Sequence, residues 1–93
     1  MSLCEVRHDA ARRRFETTVD GYDCEIDYRL SGEVMTITHT GVPAPVGNRG
    51  IAGELTRFAL ETARANGWQV VPACSYAAAY MQRHPEFDDL RRR

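Results

Sequence analysis

The thiol with the clearest chemical potential in this 93-residue sequence is Cys74, in the segment Val-Val-Pro-Ala-Cys-Ser-Tyr. The residues before it predict a strand and those after it a helix, so Cys74 stands between a strand's carboxyl end and a helix start. Unpaired N–H groups and the helix dipole at such a place favour the thiolate, the nucleophilic form of cysteine. A free cysteine is also commonly a small buried apolar residue, so both roles stay open.

Three side chains with acid–base chemistry accompany this thiol. His39 ends a predicted strand, and a parallel neighbouring strand would bring that end near Cys74, where a histidine can act as a base or orient a substrate. Tyr76 and Tyr80 lie one helical turn apart, where either can donate a proton to a leaving thiolate or line an acyl pocket. The alternatives are a structural hydrogen bond for His39 and core packing for the tyrosines.

A glycine-containing loop is a second candidate site. Its sequence is Gly47-Asn48-Arg49-Gly50-Ile51-Ala52, directly before a helical pattern. Unpaired N–H groups and the positive end of a helix dipole suit a phosphate or pyrophosphate, and Arg49 can add a charge-assisted contact. Short glycine patterns also occur in plain loops that enter helices.

Composition excludes several classes of function. The net charge of −1 gives no general attraction to nucleic acid. Cys4, Cys24 and Cys74 are an odd number of widely spaced cysteines without a Cys-x-x-Cys pair, so we expect neither a disulfide framework nor a metal site. No apolar segment approaches the roughly 20 residues of a membrane span, and none resembles a secretory signal. We expect a cytoplasmic protein without membrane contact.

The first half of the chain predicts antiparallel sheet. Arg14–Val19 alternates polar and apolar residues, and Asp20-Gly21 is a typical two-residue hairpin turn. In residues 22–30 every second residue is apolar, which predicts one buried face. A third strand covers residues 34–40. The residues predicted to share the buried face are Tyr22, Cys24, Ile26, Tyr28 and Leu30.

The second half predicts two helices around a strand. Two prolines and two glycines exclude a helix from residues 41–47, whereas from Gly50 apolar residues recur at helical spacing until Asn66-Gly67. Residues 68–74 predict a central strand covered by helices, and Ser75 is the predicted N-cap of a helix that ends before Pro85. The result is one α/β domain over residues 1–93, β-β-β-α-β-α, with a mixed sheet whose third and fourth strands run parallel.

Four segments together carry a family resemblance. They resemble the small single-domain branch of the GNAT superfamily of acetyltransferases, over most of the chain. The segments are His39-Thr40-Gly41-Val42-Pro43, Gly50-Ile51-Ala52, Val71-Pro72-Ala73-Cys74-Ser75-Tyr76 and Arg83-His84-Pro85-Glu86-Phe87.

The resemblance implies a site for acetyl-CoA. In GNAT proteins a loop written Gln/Arg-x-x-Gly-x-Gly/Ala holds the pyrophosphate of CoA through backbone N–H groups. Gly50 and Ala52 match its last two marked positions, whereas Gly47 stands where Gln or Arg is expected and Asn48 where a glycine often lies. The flanking Arg49 and Ile51 belong to the same implied cradle.

The resemblance also orients the cofactor. The pantetheine arm would run beside the third predicted strand, against backbone groups near Ile37 to Val42, with Thr40 and Val42 as cofactor-binding residues. Tyr80, already predicted to line an acyl pocket, is the further candidate for contact with the cofactor. The acetyl group would lie where the third and fourth strands splay apart, close to Cys74, which corresponds to the proposed catalytic cysteine of the branch.

Three hypotheses follow. The first is transfer of acetyl from acetyl-CoA to an unidentified amine or protein acceptor, either through Cys74 or directly. The second is a CoA-binding module without catalysis, because the chain lacks the N-terminal helices with which larger relatives build an acceptor site. The third is a thiol redox sensor that uses Cys74 without CoA.

Overall fold

The computed structural model describes residues 5–92, so Cys4 lies outside the described residues. It is an α/β fold in which five strands form one mixed sheet in the order β1-β2-β3-β4-β5. The strands are β1 Arg7–Asp9, β2 Arg14–Val19, β3 Tyr22–Ser31, β4 Val34–Gly41 and β5 Gln69–Pro72. The α-helices are α1 Ile51–Asn66 and α2 Ser75–Arg83, with short 3-10 helices at Ala44–Val46 and Pro85–Leu90.

The hairpin of β2 and β3 confirms the turn predicted from sequence. The two strands pair antiparallel up to Val19↔Tyr22. Asp20 and Gly21 both have positive φ, 51° and 81°, which is the backbone of a type I′ turn and matches the twist of the flanking strands. The predicted burial of Tyr22 was wrong: it is 41% exposed, because it stands at the open end of the hairpin.

The first strand, β1, was not predicted, because three consecutive polar residues carry no alternating pattern. It pairs antiparallel with β2. The ring of His8 stacks on Phe15 with centroids 4.2 Å apart, and its Nε2 lies 2.7 Å from the Tyr28 hydroxyl. Burial lowers the pKa of His8, against an opposing effect of Asp9, and burial raises the pKa of Tyr28.

A β-bulge in β4 changes which face its last residues occupy. Tyr28 pairs with Ile37, but Asp27 pairs with His39, so Thr38 is the extra residue. The Thr38 hydroxyl donates to the Asp27 carbonyl at 3.2 Å. Because a bulge shifts the period-two pattern by one residue, His39 shares a face with Asp27 instead of Ile37.

The parallel pair of β4 and β5 was predicted correctly, and it ends abruptly. Pairing runs from Val34↔Gln69 to Ile37↔Pro72. The N–H groups of Ala73 and Cys74 both donate to the Ile37 carbonyl at 3.0 Å. Residues 38–41 of β4 extend beyond this point, and within residues 5–92 they do not pair with β5. We call this separation of the two strands the β4–β5 gap.

The predicted central position of β5 was wrong. It is the last strand of the sheet order, and its far side meets the chain's C-terminal segment through a Val70↔Arg91 bridge and an N–H of Arg92 that donates to the Val70 carbonyl at 2.9 Å. An apolar strand is typical of a central position, but helices and a C-terminal segment can bury an edge strand equally well.

Both α-helices contribute to one core on one face of the sheet. α1 begins after Gly50 and ends at Gly67, which has a φ of 72° and confirms the predicted stop signal. A Cβ on Gly53 of α1 would lie 3.5 Å from the Tyr76 hydroxyl of α2, so the two helices are in close contact. The core includes Ile26, Met35, Ile37, Leu55, Ala59, Val70, Ala77 and Met81.

The start of α2 corrects one detail of the sequence prediction. Cys74, not Ser75, is the N-cap, and its Sγ accepts the Ala77 N–H at 3.4 Å. Cys74 keeps an extended backbone that bonds to β4, so the first helical residue is Ser75. The helix ends at Arg83 before Pro85, as predicted.

The other face of the sheet is polar. We call it the open face; it carries alternate residues such as Arg14 and Glu16 of β2, Glu25 and Asp27 of β3, and His39 of β4. These side chains are half-buried or exposed. Neither helix of residues 5–92 is long and apolar enough to cross a membrane.

Candidate active site

Several of the predicted site residues, but not His39, meet where β4, α1 and α2 converge. Thr40 of β4 pairs with buried Ile26, so it lies on the helix-covered face, and its hydroxyl is 3.4 Å from Cys74 Sγ. The thiol therefore has two polar neighbours, the Thr40 hydroxyl and the Ala77 N–H. Because a backbone N–H donor at a helix N-terminus stabilises negative charge, this arrangement suits either a thiolate or an acyl oxygen beside it.

The glycine loop leads into α1 beside these residues. Gly50 is the N-cap of α1 with a φ of 76°, and it makes no side-chain cap hydrogen bond. The first N–H groups of an α-helix have no intrahelical acceptor, so the amides at Ile51, Ala52 and Gly53 are available to an anion. The side chain of Ile51 is buried, which leaves its backbone as the part that can face a ligand.

Arg49 has a partner that sequence reasoning did not identify. Its guanidinium Nη1 contacts Asp20 Oδ2 in the β2–β3 turn. Both side chains are about half exposed, so this ion pair is worth little to stability. The contact instead places a cation beside the start of α1.

Two tyrosines extend the site along α2. Tyr76 and Tyr80 lie with ring centroids 6.4 Å apart, and Tyr80 stacks on His84 at 3.8 Å. Tyr80 is only 7% exposed, and burial is the main cause that raises its pKa. Tyr76, with its hydroxyl beside Gly53, lies closer to the start of α1.

His39 lies on the open face, across the sheet from the thiol. Its Nε2 is 3.5 Å from Glu25 Oε2. The hydrogen bonds that the described residues give Cys74 go to Thr40 and Ala77, and none joins it to His39. The bulge at Thr38 is the reason, because an unbroken alternation from Ile37 would have placed His39 on the helix side.

The structure also groups residues that the sequence analysis did not combine. Glu25, Asp27 and His39 bring potential metal-ligand atoms within 4.8 Å of one another. Sequence reasoning expected no metal ligands, and it missed this group because two neighbouring strands supply it. Asp27 is already engaged by Arg14, whose Nε is 2.8 Å from its carboxylate.

Comparison with known proteins adds to this geometry. The sequence family described as GCN5-related N-acetyl-transferase matches residues 14–90, which is most of the chain. The chain belongs to this GNAT family. The resemblance noted from the sequence segments is therefore confirmed.

A solved GNAT structure has the same fold. It is the NMR solution structure of a GCN5-like candidate N-acetyltransferase from Staphylococcus aureus, which is 26% identical and superimposes with a TM-score of 0.76. The alignment covers 99% of this chain and 91% of that one. No curated protein sequence matches the chain significantly.

The residues present fit the acetyl-CoA that GNAT enzymes normally use. The uncapped first turn of α1 offers backbone donors, and Arg49 adds a cation next to them. The β4–β5 gap exposes a length of β4 backbone that leads from this turn toward Cys74. Val42, after the end of β4, packs partly into the core and fixes this end of the strand.

Grooves elsewhere do not coincide with these residues. One of about 550 Å³ lies at the β5 edge, and one of about 300 Å³ lies on the open face and reaches Glu25. The first is lined by Gln69, Asp88, Asp89, Arg91 and Arg92, and the second by Arg7, Arg12, Arg14, Glu16, Asp23, Cys24 and Glu25.

Proposed function

We propose that this GNAT protein transfers the acetyl group of acetyl-CoA directly to a primary amine. The observation that carries the proposal is the β4–β5 gap. Cys74 and Thr40 lie beside it on the helix-covered face of the sheet, and His39 and Glu25 lie beside it on the open face. A thioester and an amine can thus approach the same gap from opposite sides of the sheet.

The helix side is the proposed cofactor side. Backbone N–H groups at Ile51 and Ala52 would hold the pyrophosphate, with Gly50 allowing close approach and Arg49 supplying a charge-assisted contact. Gly47 and Asn48 complete the loop through their backbone. Thr40 and Val42 would border the pantetheine arm, and Tyr80 would support the pocket wall through the Tyr76 ring.

Direct transfer assigns a role to each side. When bound, acetyl-CoA supplies a thioester whose carbonyl carbon accepts the amine nitrogen and whose sulfur leaves with the electrons of the C–S bond. His39 takes the proton that the amine nitrogen loses, and Tyr76 gives its phenolic proton to the leaving sulfur. Cys74 lines the carbonyl side, and solvent returns the proton to Tyr76.

A covalent route through Cys74 is the second candidate. The Ala77 N–H at 3.4 Å favours it, because a donor to Sγ stabilises the thiolate that would attack the thioester. The position of His39 on the opposite face favours direct transfer instead. His39 can act as the base for an amine on the open face, but it is not placed to deprotonate the Cys74 thiol.

Two measurements test the proposal in sequence. Calorimetric titration with acetyl-CoA comes first, and absence of binding at millimolar ligand would exclude the enzyme and the CoA-binding module alike. Mass spectrometry of the protein after incubation with acetyl-CoA then asks whether Cys74 gains an acetyl group. Transfer to amines without an acetyl-Cys74 adduct supports the direct route, and binding without any transfer supports the module.

A further inference from the structure

We propose that Glu25 is a positioning residue for His39, and that Gly41 is the residue that lets the two meet. The proposal rests on the proposed acetyl transfer and deepens it on the amine side. Glu25 Oε2 and His39 Nε2 are 3.5 Å apart on the open face. The two side chains come from neighbouring strands, because Glu25 pairs with Gly41 and His39 lies two residues before it.

Gly41 provides the space for this pair. A Cβ at this position would lie 2.7 Å from Glu25 Oε2, a distance that real Cβ atoms essentially never show, and 3.1 Å from His39 Nε2, which is tighter than most Cβ contacts. The backbone of Gly41 is not in the left-handed region, so its conformation does not itself require glycine. The close approach of Glu25 and His39 is therefore the structural consequence of the missing side chain.

Glu25, and not Asp27, is the carboxylate available to the ring. Asp27 accepts from Arg14 at 2.8 Å, and the same contact is the main cause that raises the pKa of Arg14. Glu25 is the better covered of the pair, with 24% of its side chain exposed against 59% for His39. The better covered carboxylate can thus orient the more exposed ring.

A carboxylate beside Nε2 has two consequences for proton transfer. It favours the tautomer with hydrogen on Nε2, which leaves Nδ1 as the basic nitrogen. It also places a negative charge beside the ring whose Nδ1 takes the amine proton. The ammonium form of an incoming amine is attracted to the same charge, so the acceptor expected here is a primary amine that is cationic in solution.

A purely structural role is the alternative, and the exposure argues against it. Ion pairs this exposed contribute little to stability. Replacement of Glu25 should therefore leave the unfolding midpoint nearly unchanged, while it changes the tautomer of the His39 imidazole.

The test compares Glu25→Gln and Gly41→Ala with a charge-matched control. Gly41→Ala keeps the Glu25 carboxylate and the His39 imidazole in the protein but increases the distance between them. The variant should fold, because the added Cβ clashes with the flexible end of a side chain. Glu33→Gln removes the same charge from the exposed turn at the other end of β4. The function-independent measurement is the tautomer of His39, read from ¹⁵N NMR of the imidazole at pH 8.

We expect almost exclusively Nε2–H in the wild type and in Glu33→Gln, and a shift toward the tautomer mixture of a free histidine side chain in Glu25→Gln and Gly41→Ala. We also expect kcat/KM for the amine to fall roughly tenfold or more in both test variants, a part of the 10²–10⁴ typical of acid–base catalysis. Glu25→Asp, which keeps the carboxylate, should recover the tautomer preference.

The outcomes separate the two levels of the proposal. An unchanged tautomer in Glu25→Gln overturns the positioning role whatever the activity. A changed tautomer with unchanged kcat/KM overturns the catalytic relevance of the pair. A wild-type protein that acetylates no amine defeats the proposed function and the catalytic role with it, while the tautomer still decides whether Glu25 orients the ring.

Discussion

Replacement of Cys74 tests its structural and chemical roles together, and the structure predicts that the two can be separated. Cys74 is the N-cap of α2 and accepts the Ala77 N–H through Sγ. Cys74→Ala removes that acceptor, whereas Cys74→Ser keeps an acceptor of a type that helices prefer at this position. The stability of the two variants should therefore differ even if their activity does not.

The magnitude follows from the cap. Loss of an N-cap side chain typically costs about 1 kcal/mol, which in a domain of this size lowers the melting temperature by about 4–8 °C. Cys74→Ala also loses the contact between Sγ and the Thr40 hydroxyl, which lowers the melting temperature further. Cys74→Ser should melt within about 2 °C of the wild type, since serine is among the side chains that helices prefer as N-cap.

The assay combines thermal unfolding by circular dichroism with acetyl transfer measured well below the melting temperature. Direct transfer predicts that Cys74→Ser retains activity within about tenfold of the wild type, because no bond to sulfur forms. Cys74→Ser as unstable as Cys74→Ala would refute the capping argument. Loss of transfer in a well-folded Cys74→Ser, together with an acetyl-Cys74 adduct in the wild type, would refute direct transfer.

Two further predictions concern the cofactor loop and the edge of the sheet. Arg49→Ala should weaken CoA binding by about 1–2 kcal/mol, because a charge-assisted contact to the cofactor is lost. Asp20→Asn should tighten CoA binding slightly, because it frees Arg49 from its ion pair. Both affinities are measured by calorimetry, and equal weakening in the two variants would show that Asp20 orients Arg49 instead of competing for it. Because burial lowers the pKa of His8 in the folded state, the unfolded chain binds a proton that the folded chain resists, so His8 should make the protein less stable as pH falls below about 6.5. The free energy of unfolding in urea should differ less between pH 7.5 and pH 5.5 in His8→Gln than in the wild type. An unchanged difference would assign the pH dependence of stability to other groups.

Sequence patterns predicted the parts of this fold that depend on local chemistry. The Asp20-Gly21 turn follows from two positions that need positive φ, and the end of α1 follows from Gly67. The first strand was missed because its stability comes from contacts distant in sequence, namely the His8 ring on Phe15 and its bond to Tyr28. Such contacts leave no periodic pattern.

The candidate site also depends on contacts that are distant in sequence, so only part of it could be predicted. Thr40 and Cys74 meet across a parallel pair that sequence reasoning could predict from the helix between the strands. The face of His39 could not be predicted, because a single bulged residue at Thr38 reverses it. The pairing of His39 with Glu25 follows only once that reversal is known.

The bulge therefore has a functional consequence under the proposed mechanism. Without it, His39 would lie on the helix-covered side with Cys74, and an amine would have to enter through the same side as acetyl-CoA. With it, the thioester and the base stand on opposite faces of the β4–β5 gap, and the polar open face remains for the acceptor. The base is then presented to an amine by the sheet itself, because Glu25 and Gly41 hold the histidine in place.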